Sequence, residues 1–391
     1  MSEWQSIAIK EIGTVFDGPH ATPTRRSEGP YFLNIASLSA GRLDLSRSDR
    51  VSSADYAKWT KRVTPRENDL LFSYETRLGE AALMPGEVEA CLGRRMALIR
   101  PKVELVDPRF LLYAYLSPQF QKTIELNTIH GATVNRIPLN RIGMWEIAVP
   151  PRSEQEAIAE VLGALDAKIA ANSALAATSR ELAITMANIT GPTTALGDVV
   201  VHHKRQTNPL ELADEVVEHF SLPAFDVGGG PELIAASAIK SAKFAVESSV
   251  VLVSKLNPQT PRVWPVNARD ATRRLASTEF LVLEPSVVNP WVMWALLSQS
   301  SFRAALEAQV SGTSGSHQRV NPAGALATQI LDPRSIAPRL LADIDEVLAP
   351  IDSLQFENRT LAAMRDALLP QLMSGKLRVR DAEAAASAAG V

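Results

Sequence analysis

The sequence predicts a mixed α/β (α+β) fold that is built twice, and three observations carry that prediction. A long helix is written into residues 150–186, a recognisable second copy of it occupies residues 344–379, and the stretches ahead of the two copies repeat one order of strand-like and helix-like runs. Ile158/Ile344, Leu162/Leu348, Asp166/Asp352, Asn172/Asn358, Leu175/Leu361 and Leu182/Leu368 all stand 186 residues apart. A repeat of that length points to duplication of a whole module, helix plus the domain before it.

Residues 1–151 make the first domain. DLLFS from Asp69, RMALIRP from Arg95 and WEIAVPP from Trp145 read as strands, because each is a short apolar run between polar or turn-forming residues. Asp107-Pro108 places an N-cap and a first-turn proline ahead of a helix, RFLLYAYLSPQFQKTIEL, which Pro118 breaks or re-caps. GATVNR at 131–136 is a polar loop.

A first long helix is assigned to 152–191. Pro150-Pro151 ends the preceding strand, and Ser153 with Glu156 has capping-box spacing, so the helix is expected to begin near Ser153. Ile158, Leu162, Leu165, Ile169, Ala176, Ala183 and Met186 alternate steps of three and four, with Asn172 and Ser179 in the remaining seam positions. That is a coiled-coil seam with a polar middle, roughly 50 Å long at 1.5 Å per residue. Gly191-Pro192 is expected to end it.

Residues 192–335 repeat the first domain. The strand SVVLVS ending at Ser254 answers the one ending at Ser73, Asn289-Pro290 answers Asp107-Pro108, Phe302 answers Phe120 and Gly312 answers Gly131. The second long helix is assigned to 336–380; Pro350 aligns with Ala164 and should kink or restart it. The tail 381–391, DAEAAASAAGV, is small and charged and is expected to be disordered or frayed helix.

With 391 residues and a formal charge of −3, the chain has ample length for buried cores and no global basic field. A lone Cys91 leaves no disulfide framework and no four-cysteine zinc site, which fits a reducing cytoplasm. MSEWQSIAIKEIG has no apolar signal core, and the longest apolar run, 291–297, is too short for a bilayer. A cytoplasmic chain without membrane contact is expected.

Catalytic signatures are missing. There is no phosphate loop, no G-x-G-x-x-G after a strand, no H-E-x-x-H, and the Asn-Pro pairs at 208, 257, 289 and 321 lack the further proline and aromatic of an amino-methyltransferase. Gly228-Gly229-Gly230 reads as a plain loop, and His202-His203 with His219 lack metal-ligand spacing. Recognition-type residues say more. DGPHATP at 17–23, with His20 and Thr22, runs into Arg25-Arg26; Thr133, Asn135 and Arg136 close the first domain. Lys204-Arg205-Gln206 and Ser316-His317-Gln318-Arg319 take comparable places in the second, and Arg77 and Lys255 join the set. Arginine and lysine suit phosphates or guanine edges, and Asn or Gln suits adenine, so these loops suit DNA groove readout; solvated polar loops are the alternative, and recurrence in a duplicated unit brings the DNA reading level with it.

At these residues the chain resembles the specificity (S) subunit of Type I restriction-modification systems. The resemblance covers nearly the whole chain and is most specific at PPRSEQ (150–155) running into Ile158, Leu162, Asp166 and Ile169, at LLPQLMSGKLRV (368–379), and at DGPHATP. It implies two target-recognition domains, separated by two conserved helices that pair antiparallel as an intramolecular coiled coil under a pseudo-twofold, each domain reading half of a bipartite site in double-stranded DNA. It further implies a non-catalytic chain, with no cofactor of its own. Modification subunits, two of them, would dock on the helices around Glu154, Gln155, Asp166, Asn172, Asp352 and Asn358 and bring S-adenosylmethionine; restriction subunits would bring ATP- and Mg-dependent translocation and cleavage. Two other readings compete: a structural coiled-coil scaffold, and a stand-alone DNA-modifying enzyme such as a nuclease using Glu87, Glu89, Asp214, Glu215 or Glu218. Asn172 and Asn358 are expected on the helix–helix interface or against other subunits.

Overall fold

The two unbroken apolar runs become strands covered on both faces. Leu70–Ser73 is buried throughout, and alternation sends Leu70 and Phe72 into one core and Leu71 into another. Val250–Ser254 does the same, with Val251 and Val253 on one side and Val250 and Leu252 on the other. A strand with two buried faces has no polar face to alternate with. The computed structural model describes residues 4–19, 22–131, 134–228, 230–268, 271–309, 318–388 and 390–391. It divides into two compact units, Met1–Ile169 with Thr360–Val391, and Ala170–Arg359.

In the first unit Leu70–Ser73 lies antiparallel between Met96–Pro101 and Ala81–Leu83, and Gly13–Asp17 pairs on the far side of Met96–Pro101. Gln5–Ala8 and Glu146–Val149 form a separate ribbon. Arg26–Leu33 runs parallel to Ala90–Leu92 and antiparallel to Asp49–Arg50 in a second sheet. Pro108–Leu116 brings Phe110, Leu111 and Tyr115 into the core that holds Leu70 and Phe72. Its cap is Asp107, whose carboxylate accepts from the backbone N–H of Arg109 at 2.8 Å and Phe110 at 3.0 Å. The helix stops at Pro118 and restarts as Pro118–Asn127 under a Ser117 cap.

The second unit repeats the four-stranded order: Val200–His203, Phe280–Pro285, Val250–Ser254, Val263–Val266. Thr193–Ala195 with Gln329–Leu331 repeats the ribbon. The other sheet grows to five strands, among them Val216–Phe220 parallel to Arg274–Ala276. Asn289 caps Pro290–Leu297 by accepting from Val292 N–H at 2.9 Å, where the first unit uses Asp107.

Each unit takes part of both long helices. Ile158, Leu162 and Leu165 share the first unit's core with Leu361 and Leu368. Ala176 and Ala183 share the second unit's core with Ile344, Leu348 and Ile351. The second helix does restart at Pro350, as Pro338–Leu348 followed by Ile351–Met373.

Three expectations are corrected. The first helix is Arg152–Met186, which places Ser153 inside its first turn and not at the cap. Gln155 ties the start instead: 2% exposed, it accepts from Asp107 N–H at 2.8 Å and donates to the Pro150 carbonyl at 2.9 Å. The helix also ends before Gly191-Pro192, because the chain must straighten to reach Thr193–Ala195. Finally, the tail carries a helix, Val379–Ala388, that buries Ala382 and Ala386 in the first unit's core. Methyl side chains four apart let a helix approach closely, so the segment needs no large apolar residue to pack. Among the described residues no helix is long and apolar enough to cross a membrane.

Replacing Gln155 by Leu keeps the volume but strands a buried N–H and a buried carbonyl. The substitution should lower stability by about 1–3 kcal/mol in urea unfolding, whereas an unchanged midpoint would show that the side chain's hydrogen bonds contribute nothing net.

Candidate nucleic-acid interface

Both central strands end in the same way. Ser73 Oγ donates to the Glu75 carbonyl at 2.9 Å, and Ser254 Oγ donates to the Leu256 carbonyl at 3.0 Å. The chain then turns through a residue with positive φ, Thr76 at +68° and Asn257 at +51°. Asparagine tolerates that region and threonine does not, so the first turn is the more strained of the two. A second loop docks on each turn by backbone pairing. In the first unit Ile137 N–H donates to Tyr74 O at 2.8 Å and Arg136 bridges to Glu75. In the second, Val320 N–H donates to Lys255 O at 2.9 Å, Asn257 N–H donates to Gln318 O at 2.9 Å, and Arg319 bridges to Leu256.

This pairing gathers part of the expected set. Arg77, Asn135 and Arg136 share the first turn, with the His130 ring 3.3 Å from Asn135 Oδ1. Lys255, Gln318 and Arg319 share the second. Lys204 is its neighbour too, because both Lys204 and Lys255 act on the His202 ring. The remaining candidates sit elsewhere. Arg25 pairs with Asp49 of the first unit's second sheet at 3.2 Å; Arg26 opens a strand there, and Thr22 lies in the exposed segment before it. Arg205 pairs with Glu247 at 2.7 Å, and Gln206 stands opposite Phe244 in the second unit's five-stranded sheet. His20, Thr133, Ser316 and His317 lie outside the described residues.

Ion pairing sorts the cations. Arg77 is held by Glu80 at 2.8 Å and Arg319 by Glu279 through Nε and Nη2, which leaves Arg319 Nη1 for another acceptor. Arg26, Arg136, Lys204 and Lys255 make no ion pair among the described residues. Lys255 is half-buried above the Phe244 ring, and loss of hydration pushes its ammonium below the ordinary lysine range. An unpaired, partly desolvated cation is where an anion gains most. Sequence reading missed Tyr74, Thr76, Asn257, Glu279 and Arg95, whose Nε meets Glu75 at 3.0 Å. The offset that relates Ser73 to Ser254 also relates Tyr74 to Lys255 and Thr76 to Asn257, and extending it would have found Tyr74, Thr76 and Asn257 but not Arg95 or Glu279.

The residues expected on a partner surface of the helices are mostly internal ties. Gln155 faces inward, as above. Asp166 accepts from the Tyr113 hydroxyl at 2.8 Å and Arg365 Nη1 at 2.8 Å, and its backbone carbonyl accepts from Arg42. Asp352 accepts from Trp291 Nε1 at 3.2 Å and from Asn267 Nδ2. Asn172 is buried and donates to Glu357 at 2.7 Å, while Asn358 donates to Ser173 Oγ at 3.1 Å. The two asparagines reach across to the other helix, and Glu154 is half-buried in the first turn of the first helix. Three of the five acidic residues weighed for nuclease chemistry are likewise engaged: Glu215 with Arg273 at 3.1 Å, Glu218 with Arg274 at 3.0 Å, and Asp214 with Ser237 at 2.9 Å. Burial pushes the Cys91 thiol up to about 12, outside nucleophile range.

Burial and the charges of Lys204, Lys255 and His203 hold His202 below the ordinary imidazole range, and burial holds His219 there as well. A folded state that resists protonation is stabilised relative to the unfolded chain above pH 6.5, and it loses that advantage as pH falls through the depressed values. Protection factors for amide exchange in Val250–Ser254 should therefore fall below pH 6.5 more than those in Leu70–Ser73, and His202→Phe should reduce the difference. Equal pH dependence of the two strands would refute it.

The family described as Type I restriction modification DNA specificity domain matches residues 1–178. A Methanocaldococcus jannaschii protein named as the type I restriction enzyme MjaX specificity subunit is 25% identical over 175 residues, 42% of this chain and 40% of its own length. The match thus spans less than half of that relative. The crystal structure of a Type I restriction-modification system S subunit from M. genitalium has a similar fold, with a TM-score of 0.57 and 14% identity over 95% of this chain and 96% of that one. The family match thus covers residues 1–178 of the 391.

Proposed function

We propose that the chain is the DNA-recognition subunit of a Type I restriction-modification enzyme, each unit reading one half of a split site. The observation that carries this reading is the turn built twice on the ends of the two central strands, each presenting amides and cations from a loop docked by backbone pairing. Asn135 with Arg136, and Gln318 with Arg319, are an amide and a guanidinium side by side, the pair needed to read an adenine next to a guanine. Lys204, Lys255 and Arg136 supply phosphate contacts that fix register without carrying sequence information.

The chain itself is non-catalytic in this reading, and the chemistry belongs to partners: two modification subunits with S-adenosylmethionine, and restriction subunits with ATP and Mg. Their docking surface is the outward side of the first helix, where Leu175 and Leu182 are 52% and 48% exposed and nothing in this chain's own packing requires apolar side chains. Glu154 stands in the first turn of the same helix.

Two experiments test the proposal. Exchanging residues 1–151 for another domain of the family should change one half of the methylated motif and leave the other intact; if both halves or neither change, the reading fails. With the assembled complex, Lys204→Ala and Lys255→Ala should each reduce the slope of log affinity against log salt by roughly 1 for duplex DNA. A salt-independent interaction would favour a scaffold that binds no DNA.

A further inference from the structure

The clearest difference between the two units lies beside the fourth strand of the repeated sheet. In the first unit that strand, Ala81–Leu83, is covered by the chain's own hairpin of Leu38–Ser39 and Arg42–Leu43. Gly41 bridges to Ala82, Leu38 is fully buried, and Arg42 reaches the helix to bond the Asp166 carbonyl. The helix aspartate Asp166 has its cations, Arg365 at 2.8 Å and Arg42 at 3.7 Å.

In the second unit the corresponding strand is Val263–Val266, with Trp264 opposite Leu252 as Ala82 is opposite Leu71. Here a cavity of about 220 Å³ remains, walled by Trp264, Trp291, Trp294 and Phe225 with Arg180 and Gln355 at the helices. Phe225 meets Trp264 at 5.4 Å and Trp291 meets Trp294 at 5.6 Å, both edge to face, so the rings are fixed by one another. Arg180 is half-buried above Trp291, 5.7 Å from the ring centre, and has no hydrogen bond or ion pair among the described residues. Asp352 attracts it electrostatically, but that carboxylate is already bonded to Trp291 and Asn267. Loss of hydration pushes the guanidinium below its ordinary range.

We propose that this cavity is a binding site for an aromatic group carrying a carboxylate, the carboxylate on Arg180 and the ring among the tryptophans. A half-buried guanidinium with no bonded carboxylate gains from a bidentate one, and indole edges and faces accept a planar ring better than an aliphatic one. The volume is below the roughly 300–1,000 Å³ of sites for drug-sized ligands, which selects a small group. The same chemistry is offered by a free aryl acid and by an aromatic–acidic pair of residues on a peptide. The site is independent of DNA recognition, so its test stands whether or not that reading holds.

The probe is 3-phenylpropionate, titrated into the full chain and followed by tryptophan fluorescence and saturation-transfer NMR, with the uncharged 3-phenylpropanamide as control. Saturable binding is expected, weakened roughly tenfold or more by the amide control and by Arg180→Gln. Trp264→Ala should abolish it; should that variant fail to fold, as judged by circular dichroism, Arg180→Gln and the amide still decide. A capped Gly-Phe-Asp-Gly peptide in a parallel titration assigns the source: tighter binding than the free acid names a polypeptide ligand, weaker binding a small acid. No saturable binding of either probe, or equal affinity for acid and amide, overturns the proposal.

Discussion

A strand buried on both faces has to leave the core before it can present a polar group, and in this chain it leaves through a serine. Ser73 and Ser254 are themselves buried, and each hydroxyl bonds a carbonyl two residues on. That bond turns the backbone sharply enough to require a positive φ one residue later. The turn then offers free N–H and C=O groups at the sheet's end, and a distant loop completes them. The candidate interface in each unit follows from this closure: without it Arg136 and Arg319 would be on loops with no fixed geometry, and recognition groups need a rigid support.

Given one backbone, the two turns carry different charges. Around the first stand Asp17, Glu75 and Arg95, and Tyr74 occupies the position after the serine. Around the second stand Lys204, Glu279 and Arg319, with Lys255 after the serine. The first pairs Arg77 and Arg95 with its own acids and leaves Arg136; the second leaves both Lys204 and Lys255 without an ion pair among the described residues. Backbone pairing holds the turn, so the side chains are released from any structural duty and can differ between units without loss of fold.

What could be read from the sequence was what two buried faces or a heptad seam impress on residue type. The runs at Leu70, Met96 and Val250, the caps at Asp107 and Asn289, the helix repeat and its restart at Pro350 are of that kind. The second sheets were not legible, because their strands are short or interrupted: Arg26–Leu33 contains Gly29 at φ +112° beside Pro30, and its register shifts there. The helix Val379–Ala388 was misread because alanine leaves no hydrophobic signature even when fully buried. At the site, local composition named Asn135, Arg136, Gln318 and Arg319, but only the fold could bring Lys255 to Gln318 or take Arg25 away to Asp49.

The helix repeat shows where sequence identity and structural equivalence part. Leu361 and Leu368 are buried at 1% and 7% exposure, whereas Leu175 and Leu182, their counterparts 186 residues earlier, are exposed. Conversely the seam of the first helix passes through Asn172 and Ser179, both buried. A helix whose only task was to fold its own chain would place leucine in the seam and polar residues outside. Burying Asn172 against Glu357 costs stability relative to a leucine pair but admits one register, since a shift by one turn strands a buried amide. Leucines on the outside cost solubility unless something covers them. The first helix therefore combines a seam that fixes its register with an outward apolar stripe that its own core does not use.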